Sequence, residues 1–221
     1  MRRRFIQTPK TGISRNEIWY TSTDGNVVIL YYTNAFGVNI VSNTYDAAKE
    51  CWVIKFDGKV TMIGDDAFNS RSSLISVTIP DSVTTIGNRA FSGCNSLTSI
   101  TIPEGVTSIG DGTFFGCSSL TSITIPESVT AIGENAFWYC ESLTSVIIGD
   151  SVTTIENWAF RYCSSLTNVY CKAITPPAGG IYMFSGNASG RKIYVPTESV
   201  EAYKSAKYWS EYASDIVGYN F

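Results

Sequence analysis

The chain of 221 residues contains no histidine and carries little charge. Histidine is the commonest general base and metal ligand at neutral pH, so its absence argues against acid–base and metal chemistry. Charged residues make up only 16% of the sequence, and the formal net charge is −3. Nucleic acids require clustered Lys and Arg, which this balance does not provide. The sequence therefore predicts neither an enzyme nor a nucleic-acid-binding protein.

Signals for a membrane span or for export are also missing. No apolar stretch approaches the roughly 20 residues that cross a bilayer. The basic run Arg2-Arg3-Arg4 leads into Phe5-Ile6-Gln7 instead of a hydrophobic region, so no signal peptide is visible. We interpret the basic run as a solvated tail. The chain is expected to be either cytosolic or a mature fragment whose leader was removed.

Motifs for cofactors and catalysis are lacking as well. The recurrent Ile-Gly pairs are not followed by Gly-Lys-Ser/Thr, so they do not form a phosphate-binding loop. Serine and threonine are plentiful but have no base, and the adjacent acids Asp65 and Asp66 are interpreted as solvated turn residues. No catalytic residue, metal site or cofactor is predicted.

What the sequence does contain is a repeat of 23 residues. Phenylalanine recurs at one phase of the repeat, and leucine and isoleucine recur at two others. The phenylalanines are Phe68, Phe91, Phe114, Phe137 and Phe160. A fixed period of this size indicates a solenoid, because each unit is too small to bury its apolar face alone and must stack on its neighbours.

Every unit predicts the same local structure. The stretch at 120–125 (LTSITI) is β-branched and alternates apolar with polar residues at its end, which is typical of a strand. A proline follows this strand in three units and ends the pairing. The motif Val-x-x-Ile-Gly then crosses to the opposite side, where Phe and Cys three residues apart fit one helical or 3₁₀ turn. The predicted solenoid has a parallel β-sheet on one side and short strands, turns and short helical segments on the other.

Four of the six cysteines share one slot of the repeat: Cys94, Cys117, Cys140 and Cys163. A column of this kind is typical of small buried residues that fill the same niche in every coil. No Cys-x-x-Cys spacing supports zinc. We favour a structural column of thiols, with disulfides and a metal site as the alternatives.

The repeated motifs are L-x-x-[IV]-x-[IVC], a proline, V-x-x-I-G, A-F and a Cys before the next Leu. This pattern resembles the BspA-like leucine-rich repeats, a family found in bacterial surface proteins. The resemblance covers residues 51 to about 171, with a degenerate first unit in which Cys51 takes the Leu slot. The departures are Arg71 in place of Cys, Gly149 in place of Pro and Glu156 in place of Gly.

Three regions are expected along the chain. Residues 1–50 form an N-terminal tail and a β-hairpin cap, whose strands at 17–22 and 27–32 are joined at Asp24-Gly25. Residues 51–171 form the leucine-rich repeat solenoid, with about five units and a partial one. Residues 172–221 form a C-terminal connector and a strand–helix cap, in which Thr197 caps a helix from Glu198 to about Ala206. Caps are required because the end coils would otherwise expose apolar faces.

Two surfaces are candidates for binding. The first is an aromatic flank on the side of the turns: Phe115, Trp138, Tyr139, Trp158, Arg161 and Tyr162. Aromatics with an arginine are typical of protein or sugar contacts, although these residues could instead pack on each other and shield the coil edges. The second is the concave face of the sheet: Ser99, Thr101, Ser122, Thr124, Ser145, Ile147, Asn168 and Tyr170.

The resemblance implies a non-catalytic module that is displayed or secreted at the bacterial cell surface and adheres to host components. Its expected partner is a protein or glycan, including extracellular-matrix or cell-surface components of a host. The alternative is a structural or assembly scaffold that is not exported and binds other bacterial proteins. The oligomeric state is open.

Overall fold

The computed structural model describes residues 13–30 and 32–221. The tail with Arg2-Arg3-Arg4 lies outside this range, as does Tyr31 within the expected second strand of the hairpin. The described chain winds into stacked coils with one continuous apolar core. The strands are β1 (Glu17–Ser22), β2 (Ile40–Asp46), β3 (Cys51–Phe56), β4 (Met62–Ile63), β5 (Leu74–Thr78), β6 (Thr85–Ile86), β7 (Ser99–Ile100), β8 (Ser108–Ile109), β9 (Ser122–Ile125), β10 (Ala131–Ile132), β11 (Ser145–Ile148), β12 (Thr154–Ile155), β13 (Asn168–Cys171), β14 (Ala178–Gly179), β15 (Lys192–Pro196) and β16 (Ile216–Tyr219).

The solenoid predicted from the repeat is confirmed. The Val-x-x-Ile motifs form strands β4, β6, β8, β10 and β12 of one parallel sheet, which β14 extends in the order β14-β12-β10-β8-β6-β4. The longer strands form two further sheets, β2-β3-β1-β5-β7 and β16-β15-β13-β11-β9. Identical repeat positions are register partners, as in Ser122 with Ser145 and Ile123 with Val146. Residues at the same position of the repeat therefore face the core in successive coils.

The repeated phenylalanines form a column of parallel rings through the core. The rings of Phe91 and Phe114 lie 5.6 Å apart with planes 3° apart, and those of Phe137 and Phe160 lie 4.8 Å apart at 2°. The repeated phenylalanines from Phe68 to Phe160 are fully buried. The column extends one coil beyond the predicted repeats, because Phe184 stacks on Phe160 at 5.4 Å.

The shared cysteine slot forms a second buried column. Each thiol donates a hydrogen bond to the carbonyl oxygen of the phenylalanine one coil earlier, as from Cys117 Sγ to Phe91 O at 3.2 Å. The six cysteines are unpaired and buried. Burial raises the pKa of the Cys94 thiol to about 12 and the pKa of the Cys117 and Cys140 thiols well above the usual range.

A ladder of short polar side chains also joins successive coils. Asp65, Asn88 and Asp111 each accept, at Oδ1, a hydrogen bond from the backbone N–H of the residue 23 positions later, at 2.7–2.9 Å. The glycine that precedes each donating residue leaves room for this bond. A Cβ atom at Gly133 would lie 2.5 Å from Asp111 Oδ1.

The same ladder explains why Glu156 stands where the other repeats have glycine. The acceptor slot of the preceding coil holds Glu134, whose longer side chain accepts a hydrogen bond from Asn135 Nδ2 at 3.2 Å. No short oxygen then occupies the space beside residue 156. At the next coil Asn157 Oδ1 accepts a hydrogen bond from the N–H of Ile181 at 2.9 Å, and glycine returns at Gly180, where an added Cβ atom would overlap the backbone of Glu156 and Asn157.

The expected N-terminal hairpin is wrong. β1 forms as predicted, but residues 27–30 form no strand. The N–H of Val28 donates to Tyr20 Oη at 3.0 Å, and its carbonyl accepts from Asn43 Nδ2 at 3.2 Å. Side chains therefore satisfy this backbone in place of a strand partner. β1 pairs antiparallel with both β3 and β5 instead, and so covers the edge of the solenoid sheet.

Three further expectations differ from the structure. Cys51 does not take the Leu slot, because it packs with Trp19 and Val53 in a small separate cluster. Residues 172–190 are not an irregular connector, since β14 pairs parallel with β12 and Phe184 continues the ring column. Thr197 does not cap the helix: a 3₁₀ turn spans Thr197–Ser199, and α1 runs from Val200 to Ser205.

None of the helices within residues 13–30 and 32–221 has the length and apolar character of a membrane span.

The glycine requirement leads to a matched pair of substitutions. We expect Gly133→Ala to lower the free energy of unfolding by about 1–3 kcal/mol, because the added methyl group overlaps Asp111. Glu156→Ala keeps a Cβ atom in the equivalent slot without this overlap. We expect it to change the free energy of unfolding by less than about 0.5 kcal/mol. Urea denaturation of both variants measures the difference. Equal losses would contradict the ladder as the cause of the glycine pattern.

The thiol column predicts a loss of stability in alkali. A folded-state pKa above the ordinary value of 9.0 means that the unfolded chain releases its thiol protons first. Stability is then complete below pH 9 and falls as the pH rises toward 12, by about 1.4 kcal/mol per pH unit for each such thiol. Denaturation at pH 8, 9 and 10 should show a steep decline. The slope should be shallower in Cys94→Ala, and an unchanged slope in that variant would count against the thiols.

Candidate functional site

The turns that carry the Phe and Cys columns place their intervening residues on one flank of the stack. The aromatic flank expected from the sequence (Phe115, Trp138, Tyr139, Trp158, Arg161 and Tyr162) forms a contiguous cluster. Trp138 stacks on Tyr139 with ring centroids 5.5 Å apart, and Tyr139 stacks on Tyr162 at 5.1 Å. Phe115 packs edge-on against Trp138 at 5.7 Å. The register of the coils therefore brings all six side chains together, and their role in binding stays a prediction.

Arg161 lies among the aromatic rings of this flank. Its guanidinium carbon is 4.6 Å from the centroid of the Tyr162 ring and 5.8 Å from that of Trp138. Its Nη2 donates to Tyr162 Oη at 3.1 Å. Cation–π contacts of this kind stabilise a guanidinium by about 0.5–2 kcal/mol.

Sequence reasoning missed one member of the flank. Tyr182 is 51% exposed, and its ring lies 5.5 Å from the guanidinium of Arg161. It precedes Phe184 by two residues, as Trp158 precedes Phe160. The signal was obscured because Phe184 follows Phe160 by 24 residues instead of 23, and because Met183 replaces the small residue of the other turns.

The backbone of the flank is unusual for aromatic residues. Four of its aromatics adopt left-handed conformations, with φ values from 54° to 60°: Tyr139, Trp158, Tyr162 and Tyr182. The same two slots are left-handed in other coils too, where they hold glycine at Gly93, Gly112, Gly116 and Gly186 and polar residues at Asp66, Ser70, Arg89 and Asn135. A residue with a Cβ atom loses roughly 1–2 kcal/mol in this conformation. The left-handed slots are therefore a property of the repeat, and in this part of the stack they hold aromatic residues.

The concave face has a different character. Its outward residues form rows across the strands, in which Ser145 pairs with Ser122 and Asn168, and Ile147 pairs with Thr124 and Tyr170. The rows are uncharged hydroxyl groups over most of their length. They become apolar only towards the C-terminal end of the sheet.

A tyrosine cluster at that end extends beyond the predicted Tyr170. The Tyr170 ring stacks on Tyr194 at 4.7 Å, and Tyr219 packs edge-on against both at 5.5–5.6 Å. No repeat signal marks Tyr194 or Tyr219, because their strands follow an irregular spacing. The cluster is a second, smaller aromatic surface.

Chemistry that could drive catalysis is sparse on the described surface. Over residues 13–30 and 32–221, no group of three or more His, Cys, Asp or Glu side chains is arranged to hold a metal ion. The Cys171 thiol hydrogen bonds to Tyr203 Oη at 3.2 Å, and burial raises its pKa to about 11. A buried thiol with a raised pKa is a poor nucleophile.

The stacked coils and their buried columns define a leucine-rich repeat solenoid. A family model for the BspA type leucine rich repeat region matches residues 38–167 in six copies. This match covers more than half of the chain, which therefore belongs to the BspA type leucine-rich repeat family. No curated protein matches the chain.

Several solved structures are similar. A leucine-rich repeat protein of T. pallidum is 31% identical, with 60% of this chain and 72% of that chain covered and a TM-score of 0.54. A leucine-rich cell surface protein of Faecalibacterium prausnitzii is 34% identical over 62% of this chain and 43% of its own, with a TM-score of 0.46. A leucine-rich repeat protein of Bacteroides ovatus is 24% identical over 86% of this chain and 60% of its own, with a TM-score of 0.50, and shares the fold. The chain thus spans only part of each relative.

Two aromatic residues two positions apart distinguish the core from the flank. Phe137→Ala should lower the free energy of unfolding by about 3–5 kcal/mol, because it leaves a cavity in the ring column. Tyr139→Gly should change it by about 1 kcal/mol or less, since relief of the left-handed conformation offsets the lost ring contacts. Thermal and urea denaturation measure both. A loss of several kcal/mol in Tyr139→Gly would assign Tyr139 to packing.

Proposed function

We propose that this protein is a non-catalytic recognition module that binds a protein or glycan through its aromatic flank. The observation that carries the proposal is the contiguous stack of Trp138, Tyr139 and Tyr162, whose ring centroids lie 5.1–5.5 Å apart, beside the guanidinium of Arg161. Aromatic rings held in contact on a rigid scaffold are typical of recognition surfaces, where the displayed side chains supply the contacts.

The composition of the flank supports the same conclusion. Tryptophan, tyrosine and arginine are the residues that most often dominate binding energy at interfaces. Here they form one contiguous surface on a rigid stack, with Phe115 and Tyr139 between 37% and 40% exposed. Aromatics held in fixed positions lose little conformational entropy when a partner binds. The concave face, by comparison, offers mainly hydroxyl groups.

Display at the bacterial surface and adhesion to host components are the finer parts of the proposal. They derive from the BspA type family, whose members occur in bacterial surface proteins. A flat, side-facing aromatic surface fits contact with a large partner better than it fits enclosure of a small substrate. Labelling of intact bacterial cells with an antibody against the chain would test display, and signal only after lysis would favour the scaffold.

A glycan and extracellular-matrix array tests the binding function itself. The wild-type chain should bind at least one class of ligand, and Trp138→Ala should weaken that binding by roughly tenfold or more if Trp138 is a binding hot spot. The melting temperature should change little. Trp52→Ala provides the matched control, because Trp52 is a half-buried tryptophan of the N-terminal sheet and stacks on Tyr20 away from the flank.

Two outcomes would contradict this proposal. If Trp138→Ala binds as the wild type does and unfolds at a much lower temperature, the flank is a packing feature. If only other bacterial proteins of the same cell bind, the intracellular scaffold is the correct function.

A further inference from the structure

Arg161 differs from the other arginine that packs on aromatic rings in the described chain. Arg191 is buried, and its Nη atoms are occupied by Asp215 Oδ2, Asn187 Oδ1 and the carbonyl of Phe184. Arg161 makes a single hydrogen bond, to Tyr162 Oη, and no carboxylate of residues 13–30 or 32–221 lies within ion-pair distance of it. Its Nη1 makes no hydrogen bond to residues 13–30 or 32–221, and its Nε is buried there without a hydrogen-bond partner.

The surrounding rings fix the direction of the guanidinium. Tyr162, Trp138 and Tyr182 lie 4.6, 5.8 and 5.5 Å from the guanidinium carbon. A planar guanidinium held in one orientation presents parallel N–H donors that match a carboxylate. The arrangement thus offers a preorganised anion site with little ordering cost on binding.

The aromatic side chains beside Arg161 indicate that the anionic group belongs to a sugar. Tyr139 and Tyr182 are 40% and 51% exposed, and flat exposed rings of this kind pack against the apolar faces of sugar rings. Tyrosine combines an apolar ring with a polar hydroxyl group, so it suits a ligand that alternates C–H faces with hydroxyl groups.

Charge near the flank restricts the ligand further. Glu134 and Glu156 belong to the coils that carry Trp138 and Trp158, and the whole chain has a net charge of −3. Arg161 is the only Lys or Arg between residues 131 and 166, so a polyanionic peptide or a heavily sulfated polymer would find no cluster of cations in these coils. A glycan with one isolated carboxylate can pair that single negative charge with Arg161.

We propose that Arg161, with Tyr139, Tyr162 and Tyr182 around it, binds the carboxylate of a monoacidic sugar residue. This inference rests on the proposed function, in which the flank is the recognition surface, and it adds the chemical class of the ligand.

The test compares 3′-sialyllactose, which bears one carboxylate, with lactose and with heparin, using the whole chain in saturation-transfer NMR and titration calorimetry. Sialyllactose should bind, lactose should bind at least tenfold more weakly, and heparin should gain nothing from its additional charges. Arg161→Gln should weaken sialyllactose binding by roughly tenfold or more, because it removes the charge-assisted hydrogen bonds. Arg161→Lys should recover only part of the affinity, since an ammonium does not stack on the rings and hold its donors in one direction as a planar guanidinium does.

Arg89→Gln is the matched control. Arg89 occupies an exposed turn position in an earlier coil, and its replacement removes the same charge without touching the aromatic flank. It should leave sialyllactose binding unchanged. Denaturation of each variant shows whether it folds, and Arg161→Lys keeps the test valid if Arg161→Gln is unstable.

Three results would overturn the inference. They are equal binding of lactose and sialyllactose, wild-type affinity in Arg161→Gln, and no binding of sialyllactose by the wild type. If Trp138→Ala still abolishes binding of a protein or a neutral glycan in these cases, the proposed recognition function stands and only the acidic-sugar specificity fails.

Discussion

The stacking of coils in register is the constraint on which the rest of this structure depends. Each coil completes its backbone hydrogen bonds with its neighbour, as from Phe91 N to Thr113 O, Phe114 N to Ala136 O and Phe137 N to Ala159 O at 2.7–2.9 Å. A slip of one residue would turn the phenylalanines out of the core and bring polar residues in. The strict 23-residue period, the thiol column and the glycine ladder are all consequences of this register.

The same constraint separates what must be constant from what can vary. The residue types at core-facing positions recur in every coil, because each must match the equivalent position in the coils on either side. The two turn slots before each repeated cysteine face outwards and are free to change, from Ser92 and Gly93 to Trp138 and Tyr139. Where these slots change to aromatics, the register aligns them into one surface. A binding surface can therefore be built on the solenoid without altering its core.

Much of the fold could be predicted from the sequence, because a column of identical residues is visible as a period. The Phe, Ile and Cys columns and the six side chains of the flank follow from that period alone. The coil at 172–190 could not be predicted, because its spacing is 24 residues and it contains Pro176-Pro177. The strand-like segment at 27–30 was misleading, since the side chains of Tyr20 and Asn43 bind its backbone. Gly, Asp and Asn mark the left-handed slots of the turns in several coils, and the aromatics that occupy these slots elsewhere obscure that mark.

Hydrogen–deuterium exchange of the intact chain tests the central claim most directly. The amide N–H groups of Phe91, Phe114 and Phe137 donate to the next coil and lie in a core without solvent access. If the coils hold each other in register, these amides should exchange together and only through global unfolding. Rapid exchange, or separate exchange rates for successive coils, would show that the coils do not stabilise one another and would contradict the account.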